Sequence, residues 1–440
     1  MADRINISVY PDKKADKGFR DILGINNIPR ITSTAVKTND KLAFEKLNFG
    51  HIRFHDAPLE NPGQQLIDIR KIFPLFHLDE NDPRNYFFAQ TDDYLSYLEG
   101  SDAEIDFRIG ETIDHSRGAH FISVPDDIEK WARVCRNIVA HYKNGEMNGM
   151  HLNITRVTVW EEPDNPILFK GTAEEYAKMF CAVYRLLKKD FPDIKIGGPT
   201  TFMPDDTEFF VEALENIKKE GIKPDYITNT TYQRSVENLM QCFADYRKIL
   251  DDMGFEGVKQ SLSEWHLGPI KFALAGKREL NGFSTSKSAA FTVSALVDMM
   301  DTDYVDVAYY YCWGLSAWGF IDTRMETRTY YPLYYALILY NNFIKGCTER
   351  FVCSADDKNV RAIAGKTKDG KLGVLISCYE CPTNTVSLKI DGAKNCTIKT
   401  IGADFNEKLA TEGATLETKD GEYSFLHVED DGVYYLEFDM

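Results

Sequence analysis

The chain has 440 residues, 43% of them hydrophobic and 12% aromatic, and a formal net charge of −17. That is enough apolar matter for a large core and more chain than one ordinary domain uses. The acidic balance argues against nucleic acid and anionic membrane surfaces, which call for clustered Lys and Arg, and no apolar run reaches the roughly 20 residues that span a bilayer.

Met1-Ala2-Asp3-Arg4-Ile5-Asn6 carries no apolar signal core, so the expectation is a cytoplasmic protein, or a secreted one if a leader precedes Met1. Nine scattered cysteines, an odd number, fit reduced and mostly buried thiols. Within 1–20, Ile5-Asn6-Ile7-Ser8-Val9-Tyr10 alternates apolar and polar residues and is expected to add a strand to the β-module at the other end of the chain.

From 21 to 345, short β-branched or aromatic runs alternate with longer amphipathic segments, the pattern of parallel βαβ units. Eight runs are read as strands: Asp21–Ile25, His51–Phe54, Ile105–Ile109, Arg156–Trp160, Ile194–Gly197, Tyr226–Asn229, Val258–Leu262 and Val305–Tyr310. Helices are predicted between them. Asp126–Tyr142 sets Ile128, Trp131, Val134, Cys135, Ile138 and Val139 on one face. Thr172 with Glu175 three residues on reads as a capping box before a helix to Leu187. Asp206–Lys218, Val236–Met253, Ser286–Met300 and Tyr331–Phe343 complete the set. Eight strands with interleaved helices spell a (β/α)8 TIM barrel. The competitor, an open doubly wound sheet, lacks a G-x-G-x-x-G at its first helix.

Leu78–Asp93 is rich in Asp and Asn and could hold calcium, but its spacing is not that of an EF-hand, and a solvated loop over the barrel mouth is the weightier reading. From 346 to 440, short alternating runs separated by polar turns predict a β-sandwich domain. Cys378 and Cys381 form one C-x-x-C there. With no second pair and no His nearby in sequence, it reads as a strand end and turn rather than a zinc or redox site.

Two glutamates stand straight after strand candidates, Glu162 after the fourth and Glu264 after the seventh. Catalytic groups of a barrel gather at the C-terminal ends of its strands. Two carboxyl groups facing each other across that rim are the apparatus of glycoside hydrolysis. Like charges in a partly dry site push one pKa up and keep one acid protonated.

Trp160-Glu161-Glu162-Pro163-Asp164-Asn165 resembles the Trp-Asn-Glu-Pro signature of retaining (β/α)8 glycosidases. More closely, the chain resembles glycoside hydrolase family 39, which holds β-xylosidases and α-L-iduronidase. Arg53-Phe54-His55, the run from Gly171-Thr172 to Ile196-Gly197-Gly198-Pro199, Asp225-Tyr226-Ile227-Thr228 with Tyr232, and Trp313 match it in order over nearly the whole chain. The resemblance implies Glu162 as acid/base and Glu264 as nucleophile, through a covalent glycosyl-enzyme and without metal or organic cofactor. It implies His55, Tyr232 and Trp313 around the sugar, and Trp160 and Thr230 are counted with these contacts. Glu111 and His115, after the third strand, lie at the same rim as candidate subsite contacts, while His115 and His120 as metal ligands are the weaker reading.

The chain departs from the family at two contacts. Glu161 stands where the family has an Asn, and Thr230 where it has a His; an ionised Glu accepts hydrogen bonds but cannot donate them. Glu161 is read as a substrate contact, with an ion pair to Arg53 as the alternative. The family's acidic pair after the eighth strand has no clean match, with Trp318 and Asp322 in the neighbourhood. The expected activity is a retaining, exo-acting glycosidase on β-xylosides or arabinose-containing plant oligosaccharides. The partner is a glycoside or oligosaccharide, not nucleic acid or membrane, and a homo-oligomer is left open. A weakly catalytic or non-catalytic carbohydrate-binding relative and an endo-glycanase are the alternatives.

Overall fold

A computed structural model describes residues 4–29, 38–55, 57, 65–113, 121–202, 207–268, 285–314, 319–322, 328–382, 384–401, 415–419, 421–427 and 430–440. After β1 (Arg4–Lys14) come eight parallel strands: β2 (Leu23–Asn26), β3 (His51–Arg53), β4 (Glu104–Ile109), β5 (Ile154–Val159), β6 (Lys195–Phe202), β7 (Tyr226–Gln233), β8 (Lys259–Leu267) and β9 (Val305–Tyr310). They close in chain order, with β2 pairing β9, into a barrel. The expected barrel is present and the open sheet is excluded. Each strand is buried nearly throughout, as parallel strands covered on both faces must be.

Three strands run further than the apolar runs that announce them. β6, β7 and β8 continue to Phe202, Gln233 and Leu267, with register shifts between neighbours at Gly197/Thr200, Asn229/Thr230 and Gln260/Leu262. Their added residues include Thr200, Thr201, Thr230, Thr231, Ser263, Glu264 and His266, polar groups that read as loop in the sequence. Glu264 therefore lies inside β8 rather than after it, opposite Thr230 of β7.

The helices form the outer layer. Three short ones that periodicity does not signal, α1 (Thr38–Leu47), α2 (Ile69–Ile72) and α3 (Ala89–Leu95), precede α4 (Ile128–Asn144), α5 (Ala173–Asp190), α6 (Glu208–Lys219), α7 (Val236–Asp252), α8 (Ser286–Met300) and α9 (Pro332–Gly346). Thr172 caps α5, its hydroxyl accepting from Glu175 N–H and the Glu175 carboxylate accepting from Thr172 N–H. The acidic groups of 78–93 are taken up by protein. Glu80 pairs with Lys130 and Arg133 of α4, Asp82 with Arg84, and Asp92 accepts from Tyr142.

A small ribbon of β10 (Ile321–Asp322) and β11 (Thr329–Tyr330) leads to the second region. There β12 (Cys347–Ala355), β13 (Val360–Thr367), β14 (Leu372–Cys378), β15 (Asn384–Lys389), β16 (Lys394–Ile401), β17 (Leu416–Lys419), β18 (Glu422–His427) and β19 (Gly432–Asp439) join β1 in one nine-stranded sheet. β1 sits between β12 and β15, antiparallel to the first and parallel to the second. β18 and β19 are far apart in the sheet order, yet Tyr423 meets Phe438 at 5.0 Å and Phe425 meets Tyr434 at 4.5 Å. The sheet is thus curled face to face around its own apolar core. It docks on α8, where Arg361 pairs with Asp298 and Ser377 donates to Ala290 O at 2.8 Å. Among the described residues no helix is long and apolar enough to cross a membrane.

Candidate active site

β5 ends at Val159, and the backbone then turns sharply. Trp160 (φ 67°) and Glu162 (φ 38°) both adopt left-handed conformations that side-chain-bearing residues seldom take. Such a turn stores on the order of 1–3 kcal/mol per residue and persists only where its surroundings enforce it. Here the Trp160 N–H donates to Ile109 O at 2.7 Å and the indole N–H to Leu168 O at 3.0 Å. The indole packs on Phe169 and Trp131 of α4, buried in the layer behind the barrel. Trp160, counted with the substrate contacts from sequence, is a wall of the core; the turn at its own φ angle sends the ring outward while Glu161 and Glu162 follow at the rim.

Glu161 is fully buried and forms an ion pair with Arg53 of β3. Arg53 also donates to Asn26 Oδ1 at 3.2 Å and to Ser263 O at 3.4 Å, so one guanidinium ties β2, β3, the end of β5 and β8 together. Glu161 Oε2 takes the Arg53 contact, while Oε1 is buried without a hydrogen-bond partner among the described residues.

Glu264 accepts a 2.5 Å hydrogen bond on Oε2 from the Tyr232 hydroxyl, and its Oε1 lies 3.2 Å from His55 Nε2. The His55 N–H donates to Asn27 Oδ1 at 3.1 Å, and Nδ1 lies 3.9 Å from Glu161 Oε2. Glu162 accepts from Asn165 Nδ2 at 3.0 Å and from the Thr230 hydroxyl, which also meets Ser263 Oγ at 3.2 Å. His55, Glu161, Glu162, Thr230, Tyr232 and Glu264 are thus brought together at one rim.

Three carboxylates crowd one direct cation there. Burial, then the charge of Glu161, pushes Glu162 up to about 7 against the Asn165 hydrogen bond. Burial and the charges of Glu161 and Glu162 also push Glu264 above the usual carboxylate range, opposed by the Tyr232 hydroxyl and by Arg53. Burial, then the nearby Arg108 and Arg53, holds His55 well below its ordinary value, so its ring is neutral.

Other expected residues fall elsewhere. Trp313 is 2% exposed, its ring edge-on to Phe44 of α1 and to Phe320, in the layer between barrel and helices. Glu111 accepts from Arg70 N–H at 3.0 Å and belongs to a buried network with Asp68 and Arg108. His115, His120 and Trp318 lie outside the described residues, as does the side chain of Asp322. Sequence reasoning missed Asn26, Asn27 and His266, whose ring lies 4.2 Å from that of Tyr232. Nothing marks them but their place at strand ends.

Among the described residues, two groups of side chains could hold a metal: His55, Glu161 and Glu264 at the rim, and Cys378, Cys381 and His427 in the sheet region. β18 brings His427 to the C-x-x-C that looked alone in sequence.

No protein-family profile matches the chain. A β-xylosidase of Caldicellulosiruptor saccharolyticus is 23% identical over 209 residues, 43% of this chain and 39% of that protein. The chain thus matches about two fifths of that relative's length. The structure of a glucosidase from Croceicoccus marinus superposes with a TM-score of 0.77 at 20% identity, covering 100% of this chain and 99% of that one. A family 39 β-xylosidase from Caulobacter crescentus gives 0.69 at 16%, covering both chains fully. These structures share the fold of this chain from end to end, and the resemblance to glycoside hydrolase family 39 read from the motifs stands.

Proposed function

We propose that the chain is a retaining, exo-acting glycoside hydrolase. The reading rests above all on one observation: Glu162 at the end of β5 and Glu264 in β8 share a buried rim, one held near neutral pH and the other gripped by a phenol. Glu162, protonated, gives its proton to the glycosidic oxygen while Glu264 attacks the anomeric carbon, and the bond to the leaving group breaks. The Tyr232 hydroxyl keeps Glu264 oriented and favours its ionised form. Glu162, now a carboxylate, takes a proton from water, whose oxygen attacks the anomeric carbon and frees Glu264. His55 and Glu161 face the same space and are read as sugar contacts. β-Xylosides and arabinose-containing oligosaccharides are the substrates put first, on the motif resemblance and on the named functions of similar proteins, β-xylosidases and an arabinofuranosidase.

Nitrophenol release across a panel of aryl glycosides (β-xyloside, α-L-arabinosides, β-glucoside, β-galactoside) tests this, with Glu264→Gln as control. Turnover of one glycone, abolished in the control, supports the reading. A flat panel, together with no release of sugar from plant arabinoxylan oligosaccharides, overturns it.

A second reading has one observation in its favour. The crowding that raises Glu264 leaves less of it ionised near neutral pH, and only the carboxylate attacks. A carbohydrate-binding relative with weak turnover would bind its sugar in calorimetry while the panel stays flat.

A further inference from the structure

We propose that the rim binds a divalent transition-metal ion of the zinc class between His55, Glu161 and Glu264, and that this ion and a glycoside exclude one another. One ligating atom from each of the three residues lies within 4.8 Å of the others, and His55 Nε2 stands 3.2 Å from Glu264 Oε1. Donors around tetrahedral zinc, with bonds of roughly 2.1 Å, sit about 3.4 Å apart, so small side-chain adjustments close the set.

The unmet groups point the same way. Glu161 Oε1 and Glu264 Oε1 are buried oxygens with no hydrogen-bond partner among the described residues, on side chains 0% and 6% exposed as residues. Leaving a buried carboxylate oxygen unmatched is costly, and a cation between the two would match both. The partners behind them are already set. Arg53 fixes Oε2 of Glu161, Tyr232 fixes Oε2 of Glu264, and Asn27 the backbone of His55. Such outer contacts are what orient metal ligands.

One nitrogen and two carboxylates suit zinc and its neighbours better than calcium or magnesium, which take six or more oxygens or keep several waters. Glu161 is decisive. An amide in its place would leave one His and one carboxylate, too few to hold the ion. An ion on Glu264 Oε1 takes the oxygen that would attack the anomeric carbon, hence the exclusion. The other group is less ready, because both ring nitrogens of His427 are engaged, by Tyr434 Oη at 2.6 Å and Cys381 O at 3.0 Å.

Isothermal titration of the full chain with zinc sulfate tests the site, read by heat and independent of any hydrolysis. The wild type is expected to bind one ion, at least tenfold more weakly in Glu161→Gln and in Glu264→Gln, each checked by its thermal melt. Glu264→Gln stands alone if Glu161→Gln fails to fold. The double variant Cys378→Ser/Cys381→Ser is expected to bind as the wild type does. Absence of saturable binding, retention in both Gln variants, or loss in the Ser variant overturns the site. The exclusion rests on the hydrolase reading. It is expected as competitive zinc inhibition of nitrophenyl glycoside turnover, reversed by EDTA, and zinc bound at this site without inhibition overturns it.

Discussion

Tyr232, near the end of β7, donates its hydroxyl hydrogen to Glu264 of the neighbouring strand at 2.5 Å. The contact joins adjacent strands just past a register shift, so a small irregularity in the β7–β8 ladder aims the phenol at the carboxylate.

Removing that donor is the first test. A hydrogen bond to a charged group is worth about 1.5–3 kcal/mol, or roughly 10- to 100-fold in rate if it is felt in the transition state. Tyr232→Phe is expected to lower kcat by that factor with little change in KM. It is also expected to move the rising limb of the pH–rate profile to higher pH, because the bond favours the ionised carboxylate. Steady-state kinetics from pH 4 to 9 reads both, the range set at roughly two to three pH units either side of neutrality to bracket both limbs.

Glu161 acts on both of its neighbours. Its charge raises Glu162 and Glu264 alike, so Glu161→Gln is expected to move both limbs of the profile to lower pH. The limbs belong to the cluster rather than to single residues, and the displacement of the whole bell is the quantity to measure. The same variant leaves Arg53 buried beside an amide. Breaking a buried pair costs about 3–5 kcal/mol, and a fall in Tm is expected to follow, smaller in Arg53→Met/Glu161→Gln.

Glu162 links stability to pH. Its pKa rises from 4.5 to about 7 on folding, so the folded state binds the proton more tightly than the unfolded chain. The contribution to stability is fully present below about pH 4.5 and is lost as pH rises through about 7, up to roughly 3 kcal/mol. Urea unfolding at pH 5 and pH 8 is expected to show a smaller loss over this interval in Glu162→Gln. A difference no smaller than in the wild type would count against the buried, protonated acid.

Thr172→Ala removes the cap of α5, whose side chain bonds Glu175 and none of the three rim carboxylates. A lost cap costs about 1 kcal/mol. Denaturant unfolding is expected to show that loss while kcat and KM stay as they are, which makes the variant a control for the active-site changes.

The barrel was legible because strands covered on both faces appear as apolar runs, and eight of them were countable. The extent of β8 was not. Ser263, Glu264 and His266 carry the strand on through polar residues that turn toward the rim, and polarity in a sequence reads as loop. The direction of Trp160 hangs on the sign of one φ angle, which no residue type announces when the residue is not Gly. Arg53 could be named as a partner for Glu161 because a buried acid near a strand end wants a cation. His427 could not be placed beside Cys381, since only the pairing of β15 with β18 brings the two together.

β1 lies between β12 and β15, and Asn6 bonds Asp356 across 350 residues of chain. On the ribosome this strand emerges long before either neighbour exists. Its two edges stay open while the whole barrel is made, and the last third of the sheet is translated later still. The curled sheet therefore closes over an already completed insert, like a clasp fastened after the necklace is strung. Contacts so distant in sequence form slowly, so refolding of the full chain is expected to show the barrel's fluorescence recovering before protection of β1 amides from exchange.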